Sequence, residues 1–182
     1  ICTPEIFEDL MVELGDEVTD WCKLHFFSGK LAQALICPVK NKKPIALLGC
    51  GSRDNRNSGR FFLAAAAKKL PAGCYKIVSD IPLENSKLEV LGWLMSQYNF
   101  TNYKSSSEVG DVKLVKPIDV DTAWIEAVLA GEVLARDLIN TPANYLGPEE
   151  LEKSTRELAN QFNAKLEVIS GDELIEKNFP MI

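Results

Sequence analysis

The sequence predicts an α/β fold with a largely parallel or mixed sheet, and three observations support this class. Short apolar segments bounded by Pro, Gly, Asn or Ser are typical of strands. Between them lie longer segments whose apolar residues recur at helical spacing. The composition, 46% hydrophobic and 25% charged over 182 residues, is that of a globular protein. Strands that alternate with helices predict a sheet covered by helices.

Five segments are predicted as strands because each is short, apolar and flanked by turn-forming residues. In chain order they are 32–39, 44–50, 75–79, 111–117 and 164–170.

Five helices are predicted from apolar residues at a spacing of three and four. They cover 16–24, 58–70, 83–98, 121–140 and 148–162. Pro71 and Gly73 end the second helix, and Pro148 suits the first turn of the fifth. The fourth is the longest. Twenty residues span about 30 Å, which is enough to bridge two domains.

A stripe along the fourth helix is expected to pack on a partner domain. It consists of Trp124, Val128, Gly131, Ala135 and Leu138. Gly131 is costly inside a helix, so we expect another backbone to approach it closely.

The net charge of −6 is unevenly distributed. Residues 1–39 contain seven acidic and two basic side chains, whereas residues 40–69 contain eight basic and one acidic. Such a basic block can bind phosphates or nucleic acid, or it can be solvated or paired with the acidic segments. Aromatic residues are not interleaved with the bases, as a stacking surface requires. We therefore expect no nucleic acid partner.

The cysteines indicate a reducing compartment. Their number is odd and their spacing wide: Cys2, Cys22, Cys37, Cys50 and Cys74. This predicts buried free thiols and not a disulfide framework. No apolar run reaches the roughly 18 residues of a membrane span. We expect a cytoplasmic protein without a membrane partner. The absence of an initiator Met and the apolar last residues also predict a piece of a longer chain.

Two motifs leave alternatives open. Gly49-Cys50-Gly51 leads into a basic loop, so residues 49–59 could present N–H groups to a phosphate. The dinucleotide fingerprint needs a third glycine at the position of Asp54, which favours a plain turn. Cys22 and His25 form C-x-x-H, half of a zinc site, but no second pair exists. No carboxylate cluster and no G-x-S-x-G elbow is present. The residues identify no catalytic, metal-binding or substrate-binding side chain.

A marked joint interrupts the helical pattern late in the chain. The string Arg136-Asp137-Leu138-Ile139-Asn140-Thr141-Pro142-Ala143-Asn144 closes the long helix, and Pro148 opens the next one. This string resembles the segment that joins the two domains of the leucyl aminopeptidase (cytosol aminopeptidase) family. Residues 162–179 are similar to that family's first strand and helix after the joint. Residues 91–104 resemble its Leu-Gly-x-Tyr region, from which they depart by a longer spacing between Gly92 and Tyr98.

The resemblance implies a two-domain enzyme. Residues 1–118 would form a macro-domain-like α/β domain with a central mixed sheet flanked by helices. Residues 119–141 would form the linker helix. Residues 142–182 would begin the catalytic domain with a helix, a strand and a helix. Members of this family bind two divalent metal ions (Zn or Mn), form hexamers and remove N-terminal residues from peptides.

The family's catalytic and metal-binding motifs, such as Asn-Thr-Asp-Ala-Glu-Gly-Arg-Leu, do not occur in this sequence. No site residue can be carried over, and we expect the chain alone to be inactive. The alternative is a freestanding macro-like module that binds a nucleotide or ADP-ribose at residues 49–59. At the joint, Asn140 and Asn144 are expected to satisfy backbone groups and Pro142 to fix the bend. Arg136 and Asp137 are expected to be structural.

Overall fold

The computed structural model describes residues 1–56, 59, 61–78, 86–102, 111–115 and 120–181. The chain divides into two compact units, Ile1–Leu134 and Ala135–Ile182. Outside the described residues lie Arg60 of the basic block and parts of four predicted elements: 58, 79, 83–85 and 116–117. The domain boundaries at 118 and 141 stay a prediction.

The elements of the described residues alternate between helices and short strands. A 3-10 turn at Pro4–Ile6 is followed by α1 (Phe7–Leu14), α2 (Asp16–Leu24), β1 (Ala34–Cys37), β2 (Ile45–Leu48), α3 (Arg53–Arg56), α4 (Phe62–Ala67), β3 (Gly73–Tyr75), α5 (Ser86–Ser96), β4 (Val112–Leu114), α6 (Thr122–Asn140), α7 (Pro148–Gln161) and α8 (Glu173–Glu176). The predicted α/β class is confirmed. No described helix is both long enough and apolar enough to cross a membrane.

Two small sheets replace the predicted central sheet within the described residues. β1 and β2 pair antiparallel, with Ala34 opposite Leu48. β3 and β4 pair parallel, with Gly73 opposite Val112. Cys2 adds an isolated parallel bridge to Gly49 on the second edge of β2. Both kinds of pairing occur, but in the described part of the chain they do not join into one sheet.

The side chains of β2 alternate between two hydrophobic clusters, as the pleat of a strand requires. Leu48 packs in a cluster with Leu63 of α4 and Trp93 of α5. Leu47 packs in the opposite cluster with Met11 of α1 and Val18 of α2. The β1–β2 sheet is therefore covered on both faces, which explains the almost continuous apolar runs of its strands.

Two polar groups are satisfied inside the first unit. Glu89 is buried, and its Oε2 accepts a hydrogen bond of 2.8 Å from the Leu63 N–H at the start of α4. The indole N–H of Trp93 donates to the Val112 carbonyl at 3.4 Å. Burial of such groups without a partner would cost free energy, and these bonds also tie α5 to α4 and β4.

The start of α6 is buried in the first unit through a residue outside the stripe that was predicted to pack on a partner domain. Ile125 is 1% exposed and packs with Val90 and Leu91 of α5. Trp124, which was predicted to pack on a partner domain, is 39% exposed, and the Lys87 ammonium lies 4.4 Å from its ring centroid. Because α5 covers this end of α6, the buried face of the helix is centred on Ile125, one position after Trp124.

The described residues of the second unit form the end of α6, α7 and α8, and none of them forms a strand. Residues 164–170 were predicted as a strand, and this is wrong for the described structure, where they form neither helix nor strand and are mostly exposed. A strand requires hydrogen bonds to a neighbour, and within the described residues none pairs with this segment. Leu151, Leu158 and Phe162 have the spacing of one helix face, and they are 48%, 41% and 68% exposed. The second unit thus presents an apolar helix face to solvent.

Candidate functional site

The Gly49-Cys50-Gly51 turn after β2 is held by tight backbone packing. A Cβ at Gly49 would lie 2.1 Å from the Lys30 carbonyl oxygen, so only glycine fits there. Gly51 has a φ of +77°, which also favours glycine. The backbone geometry therefore explains why both positions are glycine, without any bound ligand.

The N–H groups of this turn are already used. All three donate to backbone carbonyls of neighbouring segments: Gly49 to Gln33 at 2.8 Å, Cys50 to Cys2 at 2.9 Å and Gly51 to Gly29 at 3.0 Å. A phosphate-binding loop needs N–H groups that point at the ligand. This turn cannot offer them without breaking its own hydrogen bonds.

A carboxylate of the chain occupies the anion position beside the turn. Glu5 accepts a hydrogen bond of 2.5 Å from the Arg53 N–H, and its other oxygen lies 3.7 Å from the Arg56 guanidinium. The Arg56 guanidinium also donates to the Gly51 carbonyl. The pKa of Glu5 is lowered to about 2, first by the hydrogen bond from the Thr3 side chain and then by that from Arg53. The arrangement is an internal cap of α3 and argues against a nucleotide site.

The C-x-x-H motif does not bring its two residues together. Cys22 is fully buried in the cluster between α2 and β1, where burial raises the pKa of its thiol. His25 is exposed and contacts the Trp21 ring at a tilt of 48°, with ring centroids 4.6 Å apart. Within the described ranges, no three His, Cys, Asp or Glu side chains are grouped so that they could hold a metal ion.

Four of the cysteines are buried free thiols, as predicted, and Cys74 is exposed. Burial raises the pKa of Cys2 to about 11 and those of Cys37 and Cys50 to about 12. The thiolate is the reactive form of cysteine. At neutral pH these three side chains are therefore protonated and act as small apolar core residues.

The basic block is mostly solvated. Lys40, Lys42, Lys43, Arg53, Lys68 and Lys69 are exposed. The exception in the described part of the block is Arg56, which is half-buried against Glu5. Of the two alternatives in the sequence analysis, binding to phosphates or nucleic acid and solvation or pairing with acidic segments, this arrangement is the second.

The joint is a compact turn between α6 and α7. The Thr141 hydroxyl donates to the Asp137 carbonyl at 2.6 Å and closes the last turn of α6. The N–H groups of Tyr145 and Leu146 donate to the Pro142 carbonyl at 2.8 and 3.1 Å. At the start of α7, the Glu150 carboxylate accepts the Gly147 N–H at 2.9 Å. Sequence reasoning assigned capping to the asparagines and missed Thr141, although a Ser or Thr that bonds back to position i−4 is a known local pattern.

Known proteins share both the sequence and the fold of this chain. No family model matches it. A probable cytosol aminopeptidase from Roseiflexus castenholzii is 30% identical over 97% of this chain and 39% of its own length. The crystal structure of the cytosol aminopeptidase from Coxiella burnetii matches 96% of this chain with a TM-score of 0.82 at 25% identity. The bottromycin maturation enzyme BotP in complex with Mn matches 89% of it with a TM-score of 0.66 at 23% identity, which shows a common fold.

The chain spans about two fifths of the length of these relatives. The similarity covers both compact units and includes the joint between α6 and α7. Sequence, fold and joint motif agree, and the chain is a homologue of the cytosol (leucyl) aminopeptidases that corresponds to their N-terminal part.

Proposed function

We propose that this chain is the structural N-terminal part of a metal-dependent aminopeptidase that removes N-terminal amino acids from peptides. The observation that carries the proposal is the joint itself. A helix of 19 residues, α6, leaves the first unit and is followed by a hydrogen-bonded turn and α7, in a chain that shares the fold of a cytosol aminopeptidase over nearly its whole length.

The catalytic centre would lie in the rest of such an enzyme. The described residues do not fit a centre with two metal ions, because their acidic side chains are dispersed and the buried thiols are protonated. Two divalent ions, Zn or Mn, would therefore be held by residues outside this chain. The structural neighbour BotP, solved in complex with Mn, is consistent with a divalent metal in this fold.

The surfaces of the second unit agree with this role. Exposed apolar side chains follow one face of α7, at Leu151, Leu158 and Phe162. A row of this kind usually packs on another element, and in the complete enzyme the rest of the catalytic domain would cover it. Assembly into a homo-oligomer, a hexamer as in the family, and a cytoplasmic location belong to the same proposal. The relatives' name, cytosol aminopeptidase, supports the location.

A chimeric enzyme tests the proposal. This chain would replace the matching segment of the Roseiflexus relative, and hydrolysis of a leucyl-arylamide would be measured with Mn or Zn added. We expect the chimera to hydrolyse the substrate, and we expect a chelator to abolish this activity. The 182-residue chain alone should show no activity. A control chimera with residues 141–147 replaced by Gly and Ser should lose activity. Metal-dependent turnover by the chain alone would place the chemistry inside it and sink the proposal.

The rival nucleotide-binding function has its own test. Titration of the chain with ADP-ribose in a calorimeter should give no saturable heat, because Glu5 and the backbone carbonyls already use the donors near residues 49–59. Binding in the low micromolar range that is lost in Gly51→Glu would favour the nucleotide-binding module.

A further inference from the structure

Cys22 and Cys37 form a pair of neighbouring thiols inside the first unit. Cys22 lies on α2, Cys37 is the last residue of β1, and both are fully buried in the same hydrophobic cluster. The Cys37 thiol is hydrogen-bonded to the Cys22 sulfur. Although the two residues are 15 positions apart in the sequence, their sulfur atoms are therefore direct neighbours.

The residues around this pair fix α2 against β1. The indole N–H of Trp21, the residue before Cys22, donates to the carbonyl of Ile36, the residue before Cys37, at 3.0 Å. Glu17 of α2 accepts a hydrogen bond of 3.3 Å from the N–H of Lys40, which follows β1. A disulfide forms only where two Cβ atoms come within about 3.5–4.5 Å of each other. Helix and strand are thus held side by side at the level of the two thiols, as such a bond requires.

The two thiols differ in their hydrogen-bonding roles. Burial raises the pKa of Cys37 to about 12 and also raises that of Cys22. At Cys22 the hydrogen bond from Cys37 acts in the opposite direction and lowers the pKa. Because the thiolate is the nucleophilic form, Cys22 is the attacking residue of the pair and Cys37 is the thiol that closes the bond.

The other cysteines are placed less favourably for a bond. Cys2 shares the cluster, but its thiol donates to the Thr3 carbonyl at 3.5 Å. Cys50 packs in the opposite cluster, and Cys74 is exposed. The geometry therefore favours a link between α2 and β1 over other pairings.

We propose that Cys22 and Cys37 are a redox modification site, which a hydroperoxide oxidises to a reversible disulfide between α2 and β1. The Cys22 thiolate attacks one peroxide oxygen, the O–O bond breaks, and Cys22 becomes a sulfenic acid. The Cys37 sulfur then attacks the Cys22 sulfur and displaces the hydroxyl group. Two thiols and one hydrogen peroxide give one disulfide and two water molecules, so the sulfur atoms lose the two electrons that the peroxide gains. A thiol reductant restores the pair.

Local opening gives the oxidant access to the pair. Cys22 lies in the last turn of α2, and the two residues that follow this helix, His25 and Phe26, are exposed. Phe26 has a φ of +53°, a conformation that is unfavourable for a bulky residue. Helix ends open at a lower free energy than the core. Oxidation is therefore slow in the folded chain but does not require global unfolding, and this site is independent of the proposed aminopeptidase function.

Mapping of the oxidised chain tests the proposal. The reduced chain carries Cys74→Ser, which removes the exposed thiol, and is treated with hydrogen peroxide under native conditions. The remaining thiols are then alkylated in denaturant. Digestion after Lys, Arg and Glu separates Cys2 from Cys22, and mass spectrometry identifies the linked peptides.

Two variants serve as a matched pair. Cys37→Ala removes the thiol that closes the bond, whereas Cys50→Ala removes an equally buried thiol of the other cluster. We expect the link between Cys22 and Cys37 in Cys50→Ala but not in Cys37→Ala, where dimedone should trap a sulfenic acid at Cys22. If Cys37→Ala does not fold, the mapped link in the chain with Cys37 present decides.

The link should also stabilise the chain reversibly. A disulfide that closes a loop of this length lowers the unfolding constant about a hundredfold, and dithiothreitol should reverse the shift of the denaturant midpoint. The proposal is overturned if Cys22 and Cys37 stay fully alkylatable after a treatment that oxidises the exposed Met181. A link through Cys2 or Cys50, or one that forms only as fast as the whole chain unfolds, would also overturn it.

Discussion

Gly131 offers a direct test of the bridging role of α6. It lies inside the helix, is exposed, and a Cβ built on it has no described atom outside the helix's own backbone within 4 Å. Glycine inside a helix costs about 0.5–1 kcal/mol relative to alanine. In this chain Gly131→Ala should therefore stabilise α6 by that amount, which lowers the local opening constant about two- to fivefold.

The assay is amide exchange along α6, with the helical signal in circular dichroism followed during thermal unfolding. The matched control is Ala130→Gly, which changes the adjacent exposed position in the opposite direction. It should destabilise the helix by about 0.5–1 kcal/mol. If Gly131→Ala instead destabilises the chain, the space around Gly131 is not open and the structural reasoning is wrong.

The same substitution should change sign in a complete enzyme. If a second domain packs on this part of α6, the added methyl group meets another backbone, and overpacking costs about 1–3 kcal/mol. The chimera described above provides this comparison. Equal stabilisation by Gly131→Ala in the chain and in the chimera would show that no domain approaches Gly131, and it would refute the expectation of close approach.

Three shorter predictions concern the first unit and the end of the chain. Gly49→Ala should destabilise the chain by about 3 kcal/mol or more in denaturant unfolding, because its Cβ would collide with a backbone carbonyl; an unchanged midpoint would contradict this. The pKa of Glu5 is lowered from 4.5 to about 2. The ionised carboxylate therefore contributes fully to the stability of the folded chain above pH 4.5, and this contribution is lost as the pH falls towards 2. In Glu5→Gln the free energy of unfolding should depend less on pH between 4.5 and 2. If the variant and the unchanged chain lose stability equally in acid, Glu5 does not cap α3. Amides of residues 145–181 should exchange faster than those of 35–50, and the chimera should slow them; equal protection in the chain alone would show that α7 needs no covering domain.

Local signals predicted the helices best. The boundaries of α2 were predicted without error, and α7 begins at the predicted Pro148 and ends one residue early. In both, apolar spacing and residues suited to helix starts act within one or two turns. The helix α1 was missed, although Phe7, Leu10, Met11 and Leu14 have helical spacing. That pattern is short and could have been recognised.

Strand lengths were predicted less well, for a physical reason. β1 occupies Ala34–Cys37 inside the predicted 32–39, because an apolar run continues beyond the residues that hydrogen-bond to a neighbour. β3 begins two residues before the predicted 75. Its limits depend on where Asp111 and Val115 come alongside it, and nothing near residue 75 in the sequence records those positions.

The sequence by itself determined the α/β class, the free cysteines, the joint at Thr141-Pro142 and, through that joint, the family. These properties depend on composition and on residues adjacent in the chain. Only the tertiary structure decided whether the Gly49–Gly51 turn has free donors for a phosphate, because Glu5, which binds the Arg53 N–H, lies 48 positions away in the sequence. It also decided which face of α6 is buried. Hydrogen bonds between distant segments depend on how the chain folds in three dimensions, so no local pattern could reveal them.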